Sequence, residues 1–377
     1  VVAAGAVPVL APAADEAVRQ VEPQALRSAA ACLVRQHVAR RVALPVGALG
    51  GDLLAVVLER QLGVVLGLAQ LLLEGGEVRG GAQVLVLDRR QRGHRRHQVR
   101  TFDKAPAPEC AGHIRADVLD RVSVRSAMTG VETVVHLAAL DASVSAPEQQ
   151  FFEVNVQGTW NVLEAAEQAG VQRVVLCSSV AVLGLADDRP PDSLPIDETH
   201  VCRPYQAYGL SKQIAEITAE CFARRGRLQV VCLRPAFVAF DDLLGGVVQA
   251  LAESDGVQWP NGKSGDGDSI GEPLTPTRSY VGPEDCARCF VAAVETKISA
   301  AYRVYLVTAP WSMSPAPTAE RVVAMGMPEN KVRNLQHYVD HPTASMFSAV
   351  RAKRELGWCA RKHFEDLLKA ATAGSGS

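Results

Sequence analysis

Short β-branched runs alternate along most of this chain with longer stretches of helical spacing. Val174–Cys177 is one such run, and it ends in two hydroxyl residues, Ser178 and Ser179. That pattern predicts a buried strand delivering a serine to its C-terminal end. Further strands are expected at Ala82–Asp88, Gln98–Asp103, near His113–Arg115, and at Thr133–Leu137, Gln229–Pro235 and Tyr302–Val307. Helices are expected at Glu148–Gly170, with Gly170 as its cap, and at Ala207–Arg225. Terminal helices are expected at Arg351–Gly357 and His363–Ala371. Residues 1–80 are rich in Ala, Val, Leu, Gly and Arg, with helical pieces at Asp15–Val38 and Leu53–Leu73 and no motif.

Open parallel sheets bind ligands at the C-terminal ends of their strands. The candidate chemistry gathers there. Tyr208 and Lys212 lie four residues apart, on one face of the expected helix. Ser179 lies about thirty residues upstream. A phenol with a pKa near ~10 is a poor proton carrier at neutral pH. A neighbouring ammonium favours the phenolate and makes it a usable acid or base. A serine hydroxyl can hold a substrate oxygen where charge develops. A Tyr-x-x-x-Lys alone is weak, since many helices carry one; the serine-tipped strand makes it specific. The other nearby phenol, Tyr205, has no lysine four residues on.

With these residues, the chain resembles the extended short-chain dehydrogenase/reductase superfamily, in its NAD-dependent epimerase/dehydratase group. The matching stretches are Val134-Val-His-Leu-Ala-Ala139, Asn155-Val-Gln-Gly-Thr-Trp-Asn161, Ser178-Ser-Val-Ala-Val-Leu-Gly184, Tyr208-Gly-Leu-Ser-Lys212 and Leu233-Arg-Pro235. They keep the family's order and spacing from about Gln98 onward. The resemblance implies an α/β fold: a Rossmann-type, doubly wound parallel sheet over 81–235 and a smaller substrate-binding region over 236–371 with late Rossmann elements. An atypical N-terminal segment, 1–80, and a disordered tail, 372–377, complete the expected layout.

The resemblance also implies NAD as cofactor and a small-molecule substrate. Ser179, Tyr208 and Lys212 would be catalytic. Asp103 would accept hydrogen bonds from the adenosine ribose, and Asp117 and Val118 would border the adenine. Leu137, Ala138, Ala139, Ser178, Tyr208, Lys212 and Pro235 would complete the cofactor site. Ser179 and Arg278 would touch substrate, Arg278 at an anionic group. Asn155 and Asn161 would tie their helix to neighbouring backbone. Where dehydratases of nucleotide sugars carry Thr-Asp-Glu, this chain has Ser179-Val-Ala181. Where epimerases carry Tyr and Asn, it has Leu183 and Ala236-Phe237. These differences favour a dehydrogenase over an epimerase, and a non-catalytic or inactive NAD-binding protein stays open. The helices Glu148–Gly170 and Ala207–Arg225 pair across a dimer in many relatives, so a homodimer is expected.

One departure is large. After Asp88 a glycine-rich turn and a helix should receive the pyrophosphate. Instead the chain reads Arg89-Arg-Gln-Arg-Gly-His-Arg-Arg-His97, with too few residues before Val99 for a turn and helix. This run could bind a polyanion, could be a solvated loop, or could come from a different reading frame. The genetic code permits the last: shifted by one base with GC-rich codons, Asp88-Arg-Arg-Gln-Arg-Gly-His-Arg95 can read Thr-Gly-Gly-Ser-Gly-Ala-Ile-Gly, a glycine-rich phosphate loop.

Composition narrows the rest. With 48% hydrophobic and 21% charged residues, the 377-residue chain can bury a core. A net charge of −2 gives no general case for nucleic acid. Of nine cysteines, only Cys286 and Cys289 form a Cys-x-x-Cys, and no second pair completes a zinc site. A packing role is expected for both, and no metal. Gly262-Lys-Ser lacks the upstream glycine of a P-loop. No secretory signal or membrane span is evident, so a cytoplasmic enzyme is expected.

Overall fold

The computed structural model describes residues 84–88, 98–104, 113–142, 146–186, 188–255 and 277–374. All lie in the compact unit Leu53–Ser377. The helical pieces expected at Asp15–Val38 and Leu53–Leu73, the basic run Arg89–His97 and the Gly262-Lys-Ser segment lie outside the described residues.

The strands are β1 (Val84–Asp88), β2 (Gln98–Asp103), β3 (Ile114–Arg115), β4 (Val131–His136), β5 (Arg173–Cys177), β6 (Gln229–Pro235), β7 (Phe237–Val238), β8 (Tyr280–Val281) and β9 (Tyr302–Val307). Among the described residues, seven form one sheet in the order β3-β2-β1-β4-β5-β6-β9. The pairs β2–β3, β4–β5, β5–β6 and β6–β9 are parallel, as a Rossmann-type sheet requires. β7 and β8 form a separate parallel pair beside it.

β1 departs from the expected all-parallel sheet. It runs antiparallel to both neighbours, with Val84 opposite Phe102 and His136, and Asp88 opposite Gln98 and Val131. Parallel strands need a crossover of a dozen or more residues, whereas a short connection returns as a hairpin. Only nine residues separate Asp88 from Gln98. The chain therefore leaves β1 at the edge where β4 begins, opposite the edge where β4 ends.

The helices are α1 (Arg121–Ala127), α2 (Glu148–Phe151), α3 (Gly158–Ala169), α4 (Ala207–Arg224), α5 (Asp241–Asp255), α6 (Pro283–Glu295), α7 (Thr318–Ala324), α8 (Leu335–Asp340), α9 (Val350–Leu356) and α10 (Phe364–Gly374). A π-helical stretch, Phe152–Gln157, joins α2 to α3. Gly170 ends α3 with a left-handed φ of 73°.

Successive strand residues face opposite layers. Val134, Val174 and Val230 pack with Leu163, Ala219 and Phe222 of α3 and α4. Val135, Val175 and Val231 pack with Leu251 of α5 and Cys286, Cys289 and Phe290 of α6. Both faces are covered, which is why the strands read as continuous apolar runs rather than alternating ones. The two cysteines are buried packing residues. A third cluster joins Val182, Leu194 and Ile196 to Val322, Tyr338 and Phe347. It anchors the loop before α4 to the late part of the chain. Among the described residues no helix is long and apolar enough to cross a membrane.

One buried ion pair fixes α4 against the sheet. Arg234 of β6 donates Nε to Glu216 Oε1 at 2.8 Å and Nη2 to Oε2 at 2.6 Å. Both side chains are buried. Removing one partner strands a buried charge, which costs about 3–5 kcal/mol. Glu216→Leu is therefore expected to lower stability by about that amount in urea unfolding, and an unchanged midpoint would refute the brace.

Candidate active site

The site begins where β5 ends. Ser179 is extended, and its Oγ accepts the Ala181 N–H at 3.1 Å, starting a tight turn over Val180–Leu183. Gly184 closes that turn at φ 64°, where a Cβ would lie 1.9 Å from the Arg203 carbonyl oxygen. Gly209, in the first turn of α4, presses on the same turn: a Cβ there would lie 2.6 Å from the Ala181 oxygen. This close approach sets Tyr208 beside the residues that follow Ser179.

Lys212 completes the contact. It is only 6% exposed, and its Nζ donates to the Cys177 carbonyl at 2.9 Å. The same Nζ lies 5.9 Å from the centre of the Tyr208 ring. The helix thus touches β5 before Ser179 through Lys212 and after it through Gly209. Tyr208 is half-buried and stands edge-on to Phe151 at 6.3 Å. It also lies in the first turn of α4, where the helix dipole favours negative charge. Tyr205 is 49% exposed with the Arg189 guanidinium over its ring, away from this contact.

Burial holds the Lys212 ammonium below the ordinary lysine range, opposed by Cys177, Asp141 and Glu216. His136, at the end of β4, is pushed down to about 3 by burial and by the Lys212 charge. It is a neutral ring at pH 7, with Nε2 3.0 Å from Thr159 Oγ1.

Asn155 sits in the π-helical stretch, a geometry often found at functional sites. Its Oδ1 accepts the Leu140 N–H at 2.7 Å. Its Nδ2 donates to Leu140 O at 3.0 Å and to Ser211 Oγ at 2.9 Å. Ser211 Oγ donates in turn to Tyr208 O at 2.7 Å. Asn155 therefore ties helix to backbone, as its position in the motif suggests, and also reaches into the Tyr208–Lys212 turn. Nothing in the sequence pattern shows that second link. Asn161 Nδ2 donates to Val118 O at 2.9 Å.

The expected cofactor residues line the same sheet edge, because parallel strands all end there. Asp103 closes β2 and is 1% exposed. Asp117 is paired with Lys104 at 2.9 Å, and Val118 beside it is buried. Leu137, Ala138 and Ala139 follow β4 and are buried, and Pro235 closes β6. Ser178 Oγ is buried with no hydrogen-bond partner among the described residues, as a group awaiting a ligand would be. Arg278 precedes β8, 7% exposed and at a left-handed φ of 51°. Such strain in a non-glycine residue collects at ligand sites.

On the resemblance, these residues would take the two nucleoside ends of a dinucleotide. The pyrophosphate is different. In this fold it sits at the turn after the first strand, but β1 presents its first residue, Val84, at this edge. Among the described residues there is no strand-to-helix glycine turn at β1 to cradle a phosphate.

The family model described as the NAD dependent epimerase/dehydratase family matches residues 68–307, and the chain belongs to that family. Over 142 residues it is 35% identical to N-acetyl-alpha-D-glucosaminyl-diphospho-ditrans,octacis-undecaprenol 4-epimerase of Escherichia coli O157:H7, covering 37% of this chain and 41% of that protein. Over 217 residues it is 29% identical to the 3-beta-hydroxysteroid dehydrogenase of Mycolicibacterium neoaurum, covering 52% and 57%. The chain spans about half the length of the curated relatives it matches. Its fold is similar to MoeE5 in complex with UDP-glucuronic acid and NAD, with TM-score 0.51 and 23% identity over 73% of this chain and 90% of that one. A short-chain dehydrogenase/reductase superfamily protein from Agrobacterium tumefaciens with bound NAD gives TM-score 0.52 and 22% identity, over 73% and 89%.

Gly209→Ala is expected to force α4 off the Ala181 carbonyl, costing about 1–3 kcal/mol as overpacking does. Thermal unfolding measures it, and a variant as stable as the parent would show that the helix does not depend on this contact.

Proposed function

We propose that this chain is an NAD-dependent oxidoreductase that transfers hydride at a secondary alcohol or ketone. The substrate class is a sugar, sugar nucleotide, or related polyol or sterol. The observation that carries this reading is the Lys212 ammonium, bonded to the carbonyl of Cys177, two residues before Ser179, and 5.9 Å from the centre of the Tyr208 ring. Ser179 holds the substrate oxygen. Tyr208 takes the hydroxyl proton during oxidation and returns it during reduction. Lys212 favours the phenolate by its charge and holds the nicotinamide ribose. When bound, the nicotinamide supplies the hydride chemistry.

Asp103, with Asp117 and Val118, receives the adenosine end, and Ser178, Leu137, Ala138, Ala139 and Pro235 line the path between. Arg278 meets an anionic group of the substrate. Residues 81–235 then form the cofactor side and 236–371 the substrate side. Trp160 at 41% exposure on α3, with Leu210 at 38% and Ile217 at 58% on α4, support a homodimer through these helices. Thiols left unpaired among the described residues suit a cytoplasmic location.

A second reading has its own observation. The reversed β1 favours a non-catalytic or inactive NAD-binding protein, and epimerisation remains a neighbouring activity in the family. Calorimetry with NAD, then a panel of sugar nucleotides, uronic acids and hydroxysteroids, separates these readings. Reduced-nicotinamide absorbance marks a dehydrogenase, isomers without net reduction mark an epimerase, and no NAD heat ends the enzymatic reading.

In the active protein Tyr208→Phe is expected to lower kcat by about 10²–10⁴ while NAD still binds; undiminished turnover would exclude Tyr208 as the proton carrier. Oxidation should quicken as pH rises and the phenolate forms. It should then slow as Lys212 loses its proton, below the ordinary lysine range because burial disfavours the ammonium. A kcat profile with no alkaline fall up to the ordinary lysine range would contradict this assignment.

A further inference from the structure

A line of buried hydrogen bonds runs from the end of β4 to the first turn of α4, and donor chemistry fixes the direction of each. Asn155 Nδ2 can only donate, so Ser211 Oγ accepts from it at 2.9 Å and gives its own proton to the Tyr208 carbonyl at 2.7 Å. Thr159 Oγ1 lies 2.5 Å from the Asn155 carbonyl, which can only accept, so the single hydroxyl proton of Thr159 points there. Thr159 Oγ1 also meets His136 Nε2 at 3.0 Å. With its proton committed, the hydroxyl can only accept at this contact, so His136 Nε2 carries the hydrogen. Nδ1 of the neutral ring is then bare, and it is buried with no hydrogen-bond partner among the described residues.

Threonine hydroxyls in helices commonly bond the carbonyl four residues back, and alone that bond is local. Here the carbonyl belongs to Asn155, whose amide reaches two other segments. Nδ2 also donates to Leu140 O at 3.0 Å, and Oδ1 accepts the Leu140 N–H at 2.7 Å. Turning that amide over would set its nitrogen against the Leu140 N–H and its oxygen against the Leu140 carbonyl, so it has one orientation. The same residue is held from the sheet by His136, the last residue of β4, through Thr159 of α3. The donor at this place has to be uncharged, because the Lys212 ammonium acts on it. Burial and that charge push the His136 ring down to about 3, which leaves it neutral at pH 7.

We propose that His136, as the tautomer with its hydrogen on Nε2, is a positioning residue for Tyr208. It anchors the π-helical stretch through Thr159, and Asn155 and Ser211 carry that anchor to the backbone of Tyr208. The proposal rests on the reading of Tyr208 as the proton carrier, but its test needs no turnover.

The experiment is NMR of the whole chain without cofactor, with histidine labelled at its ring nitrogens and tyrosine at Cζ. His136→Gln identifies the His136 signals and Tyr208→Phe the Tyr208 signal. Through the neutral pH range His136 should show a protonated Nε2 and a bare Nδ1, with no titration. Thr159→Val keeps the side-chain shape and removes the hydroxyl. It should displace the Tyr208 Cζ signal and move its titration midpoint by about half a pH unit or more, because the phenol shifts relative to the Lys212 charge. His136→Asn, whose amide nitrogen falls short of Thr159, should do the same. Thr159→Ser and His136→Gln, which keep the hydroxyl and the far N–H, should give the parent Tyr208 signal. In an active preparation Thr159→Val should lower kcat about tenfold or more, as a small misplacement of a reacting group does, and Thr159→Ser should recover it. A hydrogen on Nδ1, or a charged His136 ring in the neutral range, would overturn the proposal. So would a parent-like Tyr208 signal in Thr159→Val, or a displacement in Thr159→Ser as large as that in Thr159→Val. If Thr159→Val does not fold, the tautomer and the contrast between His136→Asn and His136→Gln decide in its place. If Tyr208→Phe stays active, the proton-carrier reading falls while these signals still decide the role of His136.

Discussion

A lysine amine bonded to the last carbonyl of a central strand organises this molecule. The bond between Lys212 Nζ and Cys177 O joins a helix from one face of the sheet to the strand end where the serines emerge. It is affordable only because α4 is held in three other ways. Gly209 lets the helix backbone meet the Ala181 carbonyl, Arg234 grips Glu216 from β6, and Phe222 is fully buried in the layer behind. With those contacts in place, the helix has one rotation, and Tyr208, Lys212 and Glu216 fall on one face four residues apart. The chemistry of the site follows from that rotation.

The sheet supplies the second constraint. Strands that run together end together, so Asp103, Leu137, Ser178 and Pro235 share an edge although they lie far apart in sequence. β1 breaks this rule by entering as half of a hairpin. It fills the gap between β2 and β4 and satisfies their backbone groups, which keeps the core intact. Among the described residues the sheet is complete without a glycine-rich turn at its first strand.

The sequence was most legible where physical periodicity and local chemistry coincided. Gln229–Pro235 and Tyr302–Val307 form strands at the expected bounds, each a short, largely apolar run whose later residues are buried. The approach of Lys212 to both Tyr208 and the end of the serine-tipped strand was legible from spacing and the family resemblance together. The direction of β1 was not drawn from the pattern, although the short gap before Gln98 already left no room for a crossover. The double role of Asn155 was hidden because it depends on a π turn that aims one amide at two segments. The Arg234–Glu216 brace was hidden for a similar reason: ion pairs between a helix and a strand leave no trace in either one's periodicity. The left-handed backbone of Arg278 has no sequence signal, since that conformation is ordinarily left to glycine.

Ultraviolet absorbance of tyrosinate, followed with pH in the cofactor-free chain and in Lys212→Met, tests the electrostatic claim most directly. The chain has six tyrosines. Burial pushes Tyr280, Tyr302, Tyr305 and Tyr338 upward, so none of them ionises early. Tyr205 is the exposed reference, removed as Tyr205→Phe. One phenolate should then form below the ordinary tyrosine range of about 10, and Lys212→Met should send it back to that range or above. If no early phenolate forms, or if it forms equally well without the lysine, the ammonium does not tune Tyr208 and the account of the site fails.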